Sequence, residues 1–359
     1  MNVNCISKIR EKINLIKNDK DINIDGILIT NNTNMIYILG ISIEGYVYIN
    51  NKQTFVITDS RYIEEVKNVI NGIDDVICIN IFNQDEIIEL LKDKVVLVEA
   101  KDLTLYKSKI IKEKYLIKEL IETEDLIEEI RMIKEEYEIE CIAKACKIAD
   151  EAFTYILDYI KVGMTEIEIR DELENQMRKL GAEGTSFATI IASGQNSSKP
   201  HAICTDRKIE SQDIILFDFG CKYKGYCSDM SRTIFVGGIT QKQEKIYNIV
   251  RDAQKLVIEN IKEGVKTNYL DNLVHDLFEN KELEENYLHS LGHGVGLDIH
   301  ELPPVSIKSD FELKENMIIT DEPGIYFENE FGIRIEDTVC VKKDGILNLC
   351  NSSKDIIII

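Results

Sequence analysis

The part of the chain after about residue 124 contains a faint internal repeat, which limits the folds that this sequence can adopt. Each copy has a helix, a short segment with a glycine and a second helix, and β-rich sequence follows. The second helix of the first copy lies at 166–180, after the turn 161–165, and the other copy comprises 243–261, 262–267 and 268–279. Two similar α+β halves facing each other would form a cleft, where binding sites tend to lie.

Each half also contains a strand–turn–strand segment that carries two acidic residues. In the first half, the segment 213–236 places Asp218 and Asp229 on one face of a predicted hairpin, directly opposite each other or two positions apart. In the second half, Glu322 and Glu336 pair across a polar turn in the same way. Adjacent buried carboxylates repel each other and are costly to desolvate, and a bound cation offsets both effects. The pattern therefore predicts a metal site.

A glycine-rich segment with three of the five histidines, residues 289–301, lies between the two acidic pairs. Four carboxylates and one imidazole would bind two divalent ions with balanced charge. Oxygen-rich ligation favours Mn²⁺, Co²⁺ or Fe²⁺ over a structural zinc held by sulfur. Two such ions can share a bridging water and make it a hydroxide near neutral pH, while histidines stabilise the oxyanion of a tetrahedral intermediate. The predicted chemistry is hydrolysis of an amide.

Composition excludes several other classes of protein. Acidic residues outnumber basic ones by 64 to 43 in 359 residues, so the formal charge of −21 argues against nucleic acid or an anionic membrane as a partner. We expect no export signal and no membrane span. The nine cysteines are scattered and form no C-x-x-C motif, which indicates reduced thiols and a cytoplasmic protein.

The first third of the sequence alternates predicted strands and helices, which is typical of an α/β domain of about 120 residues. The predicted strands are Gly26–Thr30, Gly45–Ile49, Thr54–Thr58 and Lys94–Glu99, and the predicted helices are Arg61–Ile70, Asp85–Leu91 and Leu103–Lys114. From residue 124 the composition changes to charged helix. We therefore predict two domains, 1–123 and 124–359.

Simpler interpretations compete with the metal site. The D-F-G sequence at Asp218 lacks the other motifs of a protein kinase, and His289 is not followed by the glutamate of an H-E-x-x-H protease. A single acidic pair on a hairpin is usually a solvated turn. Two such pairs and a glycine-flanked histidine, all in the part with the repeat, favour the metal site. His275 is expected on the surface.

Taken together, these residues resemble the aminopeptidase P / prolidase (Xaa-Pro peptidase) family of pita-bread metallopeptidases. The segments that carry the resemblance are Ser193–His201, Asp218–Gly220, Asp229–Thr233, His289–Glu301, Asp321–Tyr326 and Gly332–Asp337, in the family's order. The first domain resembles the family's creatinase-type N-terminal domain in size, strand order and the stretch Thr58–Tyr62. The resemblance implies an α+β fold with an α/β N-terminal domain and a pita-bread catalytic domain of two pseudo-symmetric halves.

The resemblance also implies a role for each of five metal ligands. Asp229 and Glu336 would bridge two divalent ions, Asp218 would serve one ion, and His293 with Glu322 the other. Glu322 would also carry a proton to the leaving nitrogen. Mn²⁺ is the ion most favoured, with Co²⁺, Fe²⁺ or Zn²⁺ as alternatives.

Further residues would act on the substrate, a peptide with proline in second position. His201 and His300 would stabilise the tetrahedral intermediate, His289 would line the proline pocket, and Arg334 would brace Glu336 or contact substrate. Tyr326 is also predicted to lie at the substrate. By analogy the protein is expected to be a homodimer.

One departure from the family bears on substrate length. Many dipeptidase members have an arginine shortly after H-E-x-P, but here the sequence His300–Pro304 ends in proline. The absence of an arginine in this stretch favours an aminopeptidase that acts on longer peptides. Two alternatives remain: a methionine aminopeptidase-like enzyme, against which the long first domain counts, and a creatinase-like or non-catalytic pita-bread binding protein, which would have lost metal ligands.

Overall fold

The computed structural model describes residues 1–20 and 22–359, and its contacts divide the chain into an N-terminal unit, Met1–Ile130, and a C-terminal unit, Arg131–Ile359. In the described residues, no helix is both long and apolar enough to cross a membrane. All nine cysteines are free thiols in this part of the chain; eight are buried and Cys78 is half-buried.

The N-terminal unit is built around a six-stranded sheet with the order β4-β3-β2-β1-β5-β6. Its elements are α1 (Val3–Lys20), β1 (Gly26–Ile29), α2 (Asn32–Leu39), β2 (Gly45–Asn50), β3 (Thr54–Thr58), α3 (Ile63–Ile70), β4 (Val76–Asn80), α4 (Gln84–Leu91), β5 (Val95–Glu99), α5 (Leu105–Lys114) and β6 (Glu119–Thr123), followed by α6 (Glu128–Arg131). Strands β1 to β3 are antiparallel, whereas β4, β5 and β6 join in parallel.

The predicted alternation of strands and helices in this unit is confirmed, although α1, α2 and the edge strands β4 and β6 were not among the predicted elements. Helix α2 begins in the polar stretch 31–34. The side chain of Asn31 accepts a hydrogen bond from the backbone N–H of Asn34 and so caps the helix. Gly40 ends α2 in the left-handed conformation, at φ 78°.

The C-terminal unit has two helix pairs and several short sheets. Its elements are α7 (Glu136–Tyr159), α8 (Glu166–Lys179), β7 (Gly184–Thr185), β8 (Ile190–Ser193), β9 (Ile214–Phe219), β10 (Cys221–Tyr223), β11 (Tyr226–Cys227), β12 (Met230–Phe235), α9 (Gln241–Asn260), α10 (Thr267–Glu279), β13 (Gly292–Gly294), β14 (Glu301–Val305), β15 (Ile318–Asp321), β16 (Gly324–Phe327), β17 (Phe331–Arg334), β18 (Asp337–Lys342) and β19 (Gly345–Asn348). The larger sheets have the orders β12-β9-β8 and β14-β13-β15-β18-β19.

The internal repeat predicted from the sequence corresponds to the two helix pairs, α7–α8 and α9–α10. In each pair a glycine with positive φ lies in the connecting turn, Gly163 at 96° and Gly264 at 85°. The side chains of Thr165 and Glu168 form a capping box at the start of α8. Each helix pair is followed by sheet strands, so the unit consists of two α+β halves.

Residues 230–235 and 334–338 join the two halves. The backbone N–H of Glu336 donates to the carbonyl of Ser231 at 3.1 Å, and the hydroxyl of Thr338 donates to the carbonyl of Asp229 at 2.7 Å. These bonds hold the start of β12 beside the start of β18. The acidic residues of both halves therefore meet at one place.

Candidate metal centre and substrate cavity

A cavity of about 550 Å³ lies in the C-terminal unit, where the two halves meet. Its lining includes nine of the ten residues predicted for the site: His201, Asp218, Asp229, His289, His293, His300, Glu322, Arg334 and Glu336. The tenth, Tyr326, lies behind this lining and is 1% exposed. Apolar side chains, among them Phe187, Ile190 and Ile299, complete the wall.

The four acids occupy the ends of strands, as the two predicted hairpins require. In the β9–β12 ladder Ser231 lies opposite Asp218, so Asp229 is two positions away. Asp321 pairs with Asp337 and Gly324 with Arg334, and the same register places Glu322 opposite Glu336.

Three potential ligand atoms, from Asp229, His293 and Glu336, lie within 4.8 Å of one another. The Nε2 atom of His293 is 3.6 Å from a carboxylate oxygen of Asp229 and 3.5 Å from one of Glu322. The other oxygen of Asp229 is buried and accepts no hydrogen bond from the described residues. Carboxylate oxygens and one imidazole nitrogen that converge in this way fit divalent cations.

The protonation of the acids reflects their burial and mutual repulsion. Burial, with the charges of Glu336 and Asp218, raises the pKa of Asp229 well above its ordinary value. Burial and the charge of Glu322 raise the pKa of Glu336 in the same direction. Burial raises the pKa of Glu322 to about 8, even though Arg334 opposes the shift. Without a cation, this cluster therefore holds protons at neutral pH.

His293 is held in the orientation and tautomer that a metal ligand needs. It lies between Gly292 and Gly294 in β13, where a Cβ atom on either glycine would clash with the backbone of Thr320 or Leu302. Its Nδ1 atom lies 3.1 Å from the carbonyl of Gly294, so Nδ1 carries the hydrogen and Nε2 keeps its lone pair. Burial lowers the pKa of His293 to about 4, so the ring is neutral at physiological pH.

Arg334 holds several parts of the site in place. Its guanidinium, 3% exposed, donates to Asp218 at 2.6 Å and to the hydroxyl of Ser231 at 2.8 Å. Ser231 in turn donates to Glu336 at 2.6 Å. Arg334 is thus linked to Glu336 through Ser231, and the same cation also contacts Asp218 directly.

Tyr326 and His289 form a hydrogen-bonded pair beside Arg334. The Nδ1 atom of His289 lies 2.9 Å from the carbonyl of Ser290 and therefore donates. Its Nε2 atom then accepts the hydroxyl hydrogen of Tyr326 at 2.9 Å, while the Tyr326 oxygen accepts from Arg334. Burial and the charge of Arg334 lower the pKa of His289 to about 4. His289 thus presents the surface of a neutral ring to the cavity.

His201 and His300 are exposed and lie on loops at the cavity. The ring of His300 packs edge-on against that of His293, with centroids 4.3 Å apart. The residue after His300, Glu301, is held by Arg131 and by Lys134, the latter at 3.2 Å. The two histidines can therefore reach a bound substrate from the loops.

Sequence reasoning missed the hydroxyl groups that support the ligands. Ser231 contacts Glu336, and the hydroxyl of Thr320 donates to Glu322 at 3.3 Å and accepts from the backbone N–H of His293 at 3.1 Å. Each hydroxyl lies two residues from an acid in the chain. Because strand side chains alternate between faces, that spacing was an available signal.

The chain matches two family models. Residues 140–343 match metallopeptidase family M24, and residues 13–133 match the creatinase/prolidase N-terminal domain. The Xaa-Pro dipeptidase of Pyrococcus horikoshii is 37% identical over 351 residues, which cover 97% of this chain and 99% of that protein.

Solved structures agree with these matches. The structure of an Xaa-Pro dipeptidase from Bacillus anthracis superposes with a TM-score of 0.92 at 37% identity, covering 100% of both chains. That of an X-Pro aminopeptidase from Thermotoga maritima gives a TM-score of 0.85 at 34% identity, covering 96% of this chain and 99% of that one. The fold is thus a creatinase-type N-terminal domain followed by a pita-bread catalytic domain. The chain belongs to metallopeptidase family M24.

Proposed function

We propose that the protein is a dinuclear-metal peptidase that removes the first residue from peptides with proline in second position. The observation that carries this proposal is the convergence of four carboxylates and His293 on one cavity, two acids coming from each half. The names of the relatives, Xaa-Pro dipeptidases and an X-Pro aminopeptidase, support the choice of substrate.

We assign the metal ligands as the resemblance to the family implies. Asp229 and Glu336 would contact both ions, Asp218 would contact one, and His293 with Glu322 the other. The oxygen-rich set favours Mn²⁺, with Co²⁺, Fe²⁺ and Zn²⁺ as alternatives. When bound, the ions would make a water molecule acidic enough to lose a proton near neutral pH, which would turn it into a nucleophile for a carbonyl carbon.

The residues around the ligands would act on the peptide itself. His201 and His300 are exposed at the cavity and would donate to the developing oxyanion. Glu322 would pass a proton to the leaving proline nitrogen. Because both ring nitrogens of His289 are already engaged, this residue would contact the proline ring through its surface. Tyr326 would hold His289 and Arg334 in place.

The apolar part of the cavity wall suits a proline side chain. An Xaa-Pro bond has a tertiary amide and a constrained ring, so its recognition depends on shape more than on hydrogen bonds from the amide. The proline at position 304, which lines the cavity where an arginine could hold a free carboxylate, favours peptides longer than two residues.

Three further expectations belong to this proposal. We place the domain boundary near residue 124, close to the end of the creatinase/prolidase N-terminal match at 13–133 and before the M24 match at 140–343. Nine free thiols support a cytoplasmic location. A homodimer is expected by analogy, and light scattering of the purified protein would test it.

The decisive experiment compares substrates after the protein has been chelated and reloaded with Mn²⁺. We expect Xaa-Pro-Yaa tripeptides to release the free first residue faster than Xaa-Pro dipeptides do. Matched Xaa-Ala-Yaa and Met-Ala-Yaa peptides should be poor substrates, and the latter tests for a methionine aminopeptidase. If calorimetry shows bound Mn²⁺ but neither proline peptide turns over, the proposal is wrong.

The affinity for Mn²⁺ should rise with pH. Burial raises the pKa of Glu322 to about 8, so below that pH a cation must displace its proton. His293 stays neutral above pH 4 and adds no such dependence in this range. The apparent dissociation constant should therefore fall about tenfold per pH unit between pH 6 and 7, for each proton displaced. Calorimetry in buffers of different ionisation enthalpy would count the protons, and a pH-independent affinity would contradict the prediction.

A further inference from the structure

We propose that Glu166 is a positioning residue for this reaction because it fixes the loop that carries His201. The loop is defined as residues 193–205 and is called the His201 loop. Glu166 is the first residue of α8, is 0% exposed and lies outside the cavity lining. The inference rests on the proposed function, since it concerns the residue to which that function assigns oxyanion stabilisation.

The carboxylate of Glu166 accepts five hydrogen bonds from three residues of the His201 loop. Its Oε1 atom accepts from the backbone N–H and the hydroxyl of Ser193, at 2.6 and 2.7 Å. Its Oε2 atom accepts from the side-chain amide of Asn196 at 2.9 Å, and from the backbone N–H and hydroxyl of Thr205 at 2.8 and 2.7 Å. One side chain thus holds both ends of the loop and a point within it.

These five donors require a side chain that accepts hydrogen bonds at both of its terminal atoms. An ionised carboxylate has lone pairs alone, whereas a glutamine in the same place turns one NH₂ group toward donors. Glu166→Gln would therefore leave the donors around one oxygen without an acceptor in a buried environment. The shape of the side chain would hardly change.

The three residues that bond to Glu166 lie close to His201 along the chain. The amide of Asn196 also donates to the carbonyl of Ile203 at 3.1 Å, so residues 197–202 form a short arc closed by that bond. Within this arc, the carbonyl of Pro200 accepts from Arg334 at 3.3 Å. His201 lies on the arc with an exposed side chain at the cavity. Loosening the base of the arc would widen the range of positions that its imidazole samples, and catalysis is sensitive to such shifts.

The test is a double-mutant cycle on the Mn²⁺-loaded enzyme with an Xaa-Pro-Yaa peptide. Glu166→Gln should lower kcat at least about tenfold while KM and bound Mn²⁺ stay near wild type. In a His201→Ala background the same substitution should have almost no effect, because its route to the reaction is already removed. Glu168→Gln, in the same helical turn but bonded to its own capping box, is the matched control and should leave kcat unchanged.

A second measurement is independent of turnover. Amide hydrogen exchange of the His201 loop should be faster in Glu166→Gln than in wild type. The effect should be clearest at Ser193 or at Thr205, whichever N–H group faces the new NH₂ group and so loses its acceptor. If wild type cleaves no proline peptide, the proposed function fails, and the exchange result still decides whether Glu166 holds the loop.

Two results would overturn the inference. One is an equal loss of kcat from Glu166→Gln with and without His201, which would show that Glu166 acts by another route. The other is unchanged exchange in the His201 loop. If Glu166→Gln does not fold, Glu166→Asp, which keeps both oxygens on a shorter stem, replaces it in the cycle. Its smaller loss of kcat must again vanish without His201.

Discussion

Asp229→Asn should lose Mn²⁺ binding and peptidase activity together, with activity falling at least about 100-fold. Asp229 faces His293, and one of its buried oxygens accepts no hydrogen bond from the described residues. An amide keeps the shape but places a donor or a neutral oxygen where a cation requires a charged one. Calorimetric titration with Mn²⁺ and turnover of an Xaa-Pro-Yaa peptide measure the two losses.

The same variant should be more stable than wild type when both are free of metal. Burial, Glu336 and Asp218 raise the pKa of Asp229, so at neutral pH the folded state must bind a proton that the unfolded state does not, which lowers stability. Because the folded-state pKa is raised, the wild type should lose stability as pH rises, and the variant should lose less. Thermal unfolding in the presence of a chelator would measure the two stabilities. A variant that is more stable but inactive would show that Asp229 lowers the stability of the metal-free protein and is required for function.

Asp321→Asn is the matched control for this prediction. Asp321 is also a fully buried acid, and neither of its oxygens has a hydrogen-bond partner among residues 1–20 and 22–359. It lies outside the cavity lining, so Mn²⁺ binding should persist in this variant. Full activity in Asp229→Asn, or loss of Mn²⁺ binding in both variants, would contradict the assignment of Asp229.

Arg232→Met should lower the free energy of unfolding by about 3–5 kcal/mol, the usual effect of removing one partner from a buried ion pair. The guanidinium of Arg232 is 1% exposed and donates to Asp337 at 2.7 Å. It also donates to the carbonyls of Ser352 and Ser353, at 2.8 and 3.1 Å. Its loss leaves the buried carboxylate of Asp337 with the half-exposed Lys354 and with Asn348 as partners, and removes the donor to both carbonyls. Chemical denaturation of the metal-free proteins would measure the change.

This loss of stability should depend on pH in a defined direction. Burial acts to raise the pKa of Asp337, but Arg232 and Lys354 outweigh it and hold the pKa below its ordinary value. A group with a lowered pKa stabilises the fold above its unfolded-state pKa, and this contribution is lost as pH falls. The difference between variant and wild type should therefore shrink as the pH falls toward the acid range.

Arg251→Met is the control for Arg232→Met. Arg251 contacts Asp355 at 3.4 Å with a side chain that is 36% exposed, and such surface pairs contribute about 0–1 kcal/mol. Equal effects of the two substitutions, or a larger Arg232 effect at acid pH than at neutral pH, would show that the buried pair does not stabilise the fold as argued.

The sequence predicts the central strands of the N-terminal unit and misses its edges, for a physical reason. Strands β1 and β5 are buried along their whole length and consist mostly of Val, Ile and Leu. The missed strands, β4 and β6, are the two edges of the sheet and are only partly buried. Edge strands carry fewer apolar positions, so their sequences resemble loops.

The candidate ligands are visible in the sequence because charged residues are unusual in apolar strands. Asp218 interrupts a buried run in β9, and Glu322 follows one in β15. The contacts between the two halves, in contrast, cannot be predicted from the sequence. Arg334 meets Asp218 across 116 residues and Ser231 across 103, and no local pattern encodes such a pairing. The hydrogen bonds between Glu166 and the His201 loop cannot be predicted from the sequence for the same reason, because in the sequence Glu166 is only the first residue of a helix.

The distribution of cysteines gives the protein a built-in reporter of local opening. Only Cys78, in the N-terminal unit, is not fully buried among the nine thiols of the described chain, and seven others lie in the C-terminal unit. Burial raises the pKa of Cys221 to about 11 and that of Cys227 to about 12, so these sulfurs resist alkylation while their surroundings stay closed. A brief pulse of iodoacetamide followed by mass spectrometry would therefore distinguish breathing of either unit from complete denaturation, with no engineered label.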